Sequence, residues 1–221
     1  MTMKLMRWTR RSLLLPVLVP ALLLVLGGTL AQGVQAQAEQ TPEALIKRVS
    51  TDVLETLKAD KSIKQGDVNK IIALVDAKVM PHVDFRRMTA SAVGRYWRQA
   101  TPEQQARLQD EFKLLLVRTY SGALAQVQDQ TVELKPTRSN PGDKEVVVKT
   151  EVRGSGDTIQ LDYRLEKAAS GWKIFDVNVL GVWLVQNYRN SFAQEIGANG
   201  IDGLIARMAE RNRAAAAGTK S

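Results

Sequence analysis

The side chain in this sequence best suited to do chemistry is His82, its only histidine. Asp84 follows two residues on, so the pair has the residue types of an imidazole base and its orienting carboxylate. Both stand directly after Pro81 at a helix entrance, where an aspartate most simply caps the helix and the histidine is structural. With no second histidine, two-histidine metal sites and a Ser-His-Asp triad built on another imidazole are excluded. Cysteine is absent too, which removes thiolate nucleophiles, disulfides and cysteine metal sites. Gly154 and Gly156 lead into a strand rather than a helix N-terminus, so they are not a phosphate loop. Paired carboxylates are the one catalytic arrangement that spacing leaves open. We therefore expect neither a catalytic set nor a bound metal or organic cofactor.

The elements that would position such residues fall into two halves. The first reads as helical. Thr41 and Pro42 open a helix carrying Leu45, Ile46, Val49, Val53 and Leu57 at helical spacing. Gly66-Asp67 opens a second, with Ile71, Ile72, Val75 and Val79 on one side, ended by Pro81. A short third helix runs from Asp84 to Gly94. Thr101-Pro102-Glu103-Gln104 has the form of a capping box. Behind it, Leu108, Phe112, Leu115, Leu116, Tyr120, Leu124 and Val127 make a long apolar stripe.

The period then changes to two. Val132 and Leu134 begin it, followed by Val146, Val148 and Val152. Ile159, Leu161, Tyr163 and Leu165 alternate next, then Phe175, Val177 and Val179. Asn140-Pro141-Gly142, Gly154-Ser155-Gly156-Asp157 and Ser170-Gly171 are turns. Four sequential strands joined by short turns predict an antiparallel meander. Two closing helices, over about 183–197 and 201–212, are separated by Asn199-Gly200. The order predicts an α+β domain with helices on one face of a curved four-stranded sheet. Its inward apolar face could be an ordinary dry core or the wall of a cavity; periodicity does not distinguish them.

Lys4, Arg7, Arg10 and Arg11 precede an apolar run from Leu13 to Leu26, and Ala36-Gln37-Ala38 fits a signal-peptidase site. The run is too short for a membrane span of roughly 20 residues. We expect a signal peptide over 1–38, one soluble domain over 39–213 and a disordered tail over 214–221. Thr9-Arg10-Arg11-Ser12-Leu13-Leu14 is similar to a twin-arginine signal, but the leucine-rich run fits the ordinary secretory route better. The chain has 31 basic and 23 acidic residues; four basic residues leave with the signal, so the mature charge is 27 − 23 = +4. No dense basic stripe with interleaved aromatics marks a nucleic-acid surface.

Several blocks carry a resemblance. They are Pro81-His82-Val83-Asp84-Phe85, Gly94-Arg95-Tyr96-Trp97, Thr101-Pro102-Glu103-Gln104 and Phe112 through Tyr120. Further on come Trp172 through Val177, Gly181 through Arg189, and Gly200-Ile201-Asp202-Gly203-Leu204-Ile205. Together, in this order, they resemble the MlaC family, also called the toluene-tolerance auxiliary family. Trp183 departs from it, standing where a small residue is usual.

The resemblance implies an NTF2-like fold with an apolar cavity between sheet and helices. It implies a periplasmic phospholipid carrier, working between an outer-membrane lipoprotein–porin complex and an inner-membrane ABC transporter with an MCE-domain protein. On that reading the tails contact Phe112, Leu116, Tyr120, Val146, Val148, Ile159, Leu161, Tyr163, Leu165 and Val177. Among basic residues near helix ends (Arg86, Arg87, Arg95, Arg98 and Arg189), Arg95, Arg98 and Arg189 are the headgroup or docking candidates. We expect a monomer. The competing readings are a small-molecule enzyme with an NTF2-like pocket and a structural partner protein with a dry core.

Overall fold

Each of the first helices starts where a short polar side chain can satisfy backbone N–H groups that lack an intrahelical partner. The computed structural model describes residues 40–137, 139–140 and 142–218. The export segment expected over 1–38, Pro141 and the last three residues of the expected tail lie outside it. Helix α1, Pro42–Ala59, begins with the Ala44 N–H donating to the Thr41 hydroxyl at 3.1 Å. Asp60 caps the short α2, Lys61–Lys64, and Asp67 caps α3, Val68–Leu74. The chain then widens into a π turn over Val75–Val79 and tightens into a 3-10 turn over Met80–His82, so regular α-helix has ended before Pro81.

Asp84 caps α4, Phe85–Val93, by accepting the Arg87 N–H at 2.8 Å. Its own N–H donates to the Ile174 carbonyl, which fastens this entrance to the sheet. Asp84→Ala should therefore lower stability by about 0.5–2 kcal/mol. The measurement is the urea midpoint; an unchanged midpoint would mean that solvent caps α4 equally well. A 3-10 turn, Gly94–Arg98, leads to α5, Pro102–Ala125, whose capping box between Thr101 and Gln104 is fully formed.

The second half is a meander of five antiparallel strands in sequential order: β1 Thr131–Leu134, β2 Glu145–Arg153, β3 Ile159–Ala168, β4 Gly171–Val179 and β5 Val182–Trp183. The sequence pattern predicts four of them. β5 is too short to show a period. Its pairing with β4 follows from the tight hairpin at Leu180-Gly181.

One register detail also departs from simple alternation. Arg164 pairs with Asp176 but Leu165 with Ile174, which leaves Phe175 as the extra residue of a β-bulge. The bulge shifts the phase of β4, so Ile174 rather than Phe175 joins the inner face. The Phe175 ring instead lies 3.6 Å from the Arg87 guanidinium. Arg87 also pairs with Glu145 and Glu166.

Helix α6, Leu184–Gly218, is broken at Gly200 (φ 72°), as the Asn199-Gly200 signal predicts. Its second arm continues through the alanine run, so residues 214–218 are helical where the sequence suggests a frayed tail. That arm is held on α5 by Asn212, whose side-chain amide donates to the Glu111 carbonyl and carboxylate.

Three apolar clusters result. One unites α4, α5 and α6 around Phe112; one joins α1 to the sheet; one joins α1, α2 and α3 to Val117 of α5 and to Val127.

Candidate functional site

The strands β2, β3 and β4 each present a row of side chains to the helices. Register sets Val146 against Leu165, Val148 against Tyr163, Thr150 against Leu161 and Val152 against Ile159. Ile174, Val177 and Val179 extend the rows of Leu165, Tyr163 and Leu161. Helix α1 covers one half of this wall. Leu45, Ile46 and Val49 pack on Val146, Val148, Leu165 and Ile174, and every one of these residues is at most 6% exposed.

The other half is covered differently. Ile159, Leu161, Tyr163, Val177 and Val179 are only half-buried, and so are Leu116 and Tyr120 on α5 and Val185 and Tyr188 on α6. Leu116, Val177, Val185 and Tyr188 rim the helical cluster, while Tyr163 and Val177 rim the sheet cluster. Val83 and Val177 stand on both rims. These partly buried side chains form the border along which the helical and sheet clusters meet.

Tyr163 stands at that border. Desolvation pushes its phenol up, while hydrogen bonds with the Ser50 and Thr150 side chains act in the opposite direction. Desolvation also pushes up the Tyr120 phenol, aided by the nearby Tyr188.

The ten tail-contact residues named from the sequence thus divide. Leu116, Tyr120, Ile159, Leu161, Tyr163 and Val177 are half-buried. Phe112, Val146, Val148 and Leu165 lie buried in packed clusters, Phe112 with its ring 5.0 Å from Tyr188 and 5.2 Å from Phe192. Ser50, Thr150, Val179, Val185 and Tyr188, which the sequence reading did not name, neighbour these candidates in the structure. Thr150 could have been found, since it holds the inward position between Val148 and Val152.

The start of α6 is fixed over the wall by a buried carboxylate. Asp176, 1% exposed, accepts the Val177 and Val185 N–H groups at 2.9 and 3.1 Å and pairs with Arg164 at 3.2 Å. Burial pushes its carboxyl up against the opposing pull of these partners. The Arg164 guanidinium also lies 3.9 Å from the Trp183 ring. Trp183 pairs with Asn178, and Val182 with Val179, so Trp183 sits on the face opposite the apolar rows and does not obstruct them.

The polar candidates separate as well. Arg95 and Arg189 line one notch of about 290 Å³ with Tyr96 and Asn190. Gly94 beside them has φ 66°, a conformation that favours glycine. Arg98 is exposed and outside this notch. Burial lowers the His82 pKa, Arg48 and Lys173 push it the same way, and Asp52 opposes. With Asp84 engaged as a cap, no base-orienter pair forms. Among the described residues no three metal-ligating side chains gather.

The comparisons with known proteins agree with this architecture. The family model described as MlaC protein matches residues 47–210. Toluene tolerance protein ttg2D of Pseudomonas putida is 29% identical over 185 residues, 80% of this chain and 86% of that one. The intermembrane phospholipid transport system binding protein MlaC of Haemophilus influenzae is 19% identical over 177 residues, 78% of this chain and 83% of that one. A solved structure of a phospholipid-binding protein from Ralstonia solanacearum, in complex with a phospholipid, superimposes with a TM-score of 0.77. It is 47% identical and covers 79% of this chain and 98% of its own.

Proposed function

We propose that this chain, which belongs to the MlaC family, is a periplasmic carrier that holds a phospholipid by its tails between sheet and helices. The observation that carries this reading is the half-buried part of the inner wall, where Leu161 belongs to no packed cluster and Tyr163 and Val177 stand at the clusters' borders. The phospholipid complex of the 47% identical relative supports the same cargo. The export segment read over 1–38 supports the compartment.

The physical need is plain. Two acyl tails hold roughly 30 methylenes at about 0.8 kcal/mol each, on the order of 25 kcal/mol in water. A lipid crosses an aqueous gap at a useful rate only inside comparable apolar burial. The carrier makes and breaks no covalent bond, which suits a chain with one histidine and no cysteine. Its partners on this reading are an outer-membrane lipoprotein–porin complex and an inner-membrane ABC transporter bearing an MCE-domain protein, which deliver and receive the lipid.

The test is organic extraction of purified protein followed by mass spectrometry and phosphate analysis. We expect a diacyl phospholipid at close to one per chain. Protein that is consistently lipid-free, yet turns over a soluble substrate, would return the NTF2-like enzyme reading.

A further inference from the structure

Leu180 occupies a backbone position unfavourable to leucine. It forms, with Gly181, the two-residue turn between β4 and β5, and φ is positive at both: 52° at Leu180 and 90° at Gly181. That is the pattern of a type I′ hairpin, where asparagine, aspartate and glycine are favoured. A leucine there sets its Cβ too close to the following carbonyl. Its side chain gains no burial in exchange. Leu180 is 63% exposed, and Val182 beside it is 50% exposed.

The surrounding structure holds the strained turn in place. The Leu180 N–H donates to the Gln160 carbonyl at 3.0 Å, and the Gly181 N–H to the Asn178 Oδ1 at 2.7 Å. Trp183 is held under the Arg164 guanidinium on the opposite face. Strain persists where neighbours over-determine it, and such residues cluster where a protein works.

Register shows where the Val182 side chain leads. Val182 pairs with Val179, Val179 with Leu161, and Leu161 with Thr150. This single row passes from a fully buried residue, through two half-buried ones, to an exposed valine. Leu180 stands in the turn between Val179 and Val182, next to the exposed end of the row. The row is continuous with the half-buried part of the inner wall.

Resting on the carrier reading, we propose that Leu180 and Val182 are the lip over which the acyl tails of the cargo enter and leave. A tail half withdrawn from the wall lies along this row instead of in water. The lip therefore lowers the barrier to exchange without adding to the affinity of the fully seated lipid. It contacts the tail itself, so it acts without any partner protein.

The experiment compares wild type with Leu180→Gly, Leu180→Met and Val182→Thr. The donor is vesicles of phosphatidylethanolamine and phosphatidylglycerol carrying an acyl-labelled fluorescent phospholipid, with no partner present. Leu180→Gly should melt at a higher temperature than wild type when delipidated, because glycine is at ease at this φ. It should retain bound phospholipid per chain as wild type does. Pick-up and release should both slow about tenfold, the change expected when roughly two methylenes of a tail in transit lose apolar cover.

Leu180→Met should exchange at close to the wild-type rate, and Val182→Thr should slow. Exchange by Leu180→Gly at the wild-type rate overturns the proposal. So does a parallel loss of bound lipid or of melting temperature, since either would make Leu180 a wall or packing residue. Wild-type protein that neither carries nor acquires phospholipid would sink the carrier reading itself, a result distinct from failure of the lip.

Discussion

Leu161→Trp should leave the delipidated protein about as stable as wild type, or slightly more stable, while bound phospholipid falls about tenfold or more. Leu161 lies mid-row between Thr150 and Val179, is half-buried and belongs to none of the three packed clusters. In a filled core, the extra volume of an indole would overpack and cost about 1–3 kcal/mol. Facing a gap, the ring covers apolar wall instead. The space it takes comes from the cargo. Displacing roughly two methylenes of tail forfeits about 1.6 kcal/mol, which is at least tenfold in affinity. Denaturant midpoints of delipidated proteins and bound lipid per chain give the two readouts. A destabilised variant that binds lipid normally would place Leu161 in dry core and move the tail site elsewhere.

Phe112→Ala should give the opposite pair. Phe112 has no exposed surface, and the Phe85, Tyr188 and Phe192 rings surround it at centroid distances of 5.8, 5.0 and 5.2 Å. Removing a buried phenyl from such a site costs about 3–5 kcal/mol, through lost transfer energy and the cavity left behind. Against a typical total of about 5–15 kcal/mol, that is a large share of the stability of the fold. The urea midpoint should fall accordingly with little change in slope. The lipid bound per folded chain should change far less than in Leu161→Trp. If Phe112→Ala is as stable as wild type but empty of lipid, the ring is a tail contact and the helical cluster is not the dry centre it resembles.

The contrast between these two residues shows what was legible in the sequence. Both are large, apolar and on the inward stripe of a regular element. Period three-to-four on α5 and period two on β3 identify the face correctly in each case. Neither period says what occupies the space in front of that face. Phe112 meets three other rings because α4 and α6 converge on α5. Leu161 is only half-buried because the residues α1 packs on are Val146, Val148, Leu165 and Ile174. The division of these candidates into half-buried and packed residues follows from where helices end, and no spacing within one element encodes that.

Other features were unreadable for related reasons. The bulge at Phe175 depends on how β3 and β4 pair, so it altered the face of Ile174 without disturbing the composition of the strand. The strand β5 has two residues and therefore no period. The alanine run after Arg213 has no apolar pattern, but alanine has the highest helix propensity, and the arm extends once Asn212 holds it to Glu111.

By itself, then, the amino-acid order determined what depends on neighbours along the chain. It set the helix starts at Thr41, Asp67, Asp84 and Thr101, the break at Asn199-Gly200, the switch from helices to strands, and the exclusion of cysteine and two-histidine chemistry. These are local because capping, turn geometry and side-chain direction act over a few residues. Tertiary structure alone decided that Asp176 anchors the start of α6, that Trp183 faces away from the apolar rows, and that Leu180 stands strained and exposed in the β4–β5 turn. Each of those is a relation between elements far apart in sequence. Their geometry is set by packing and register, which a pattern along one chain direction does not contain.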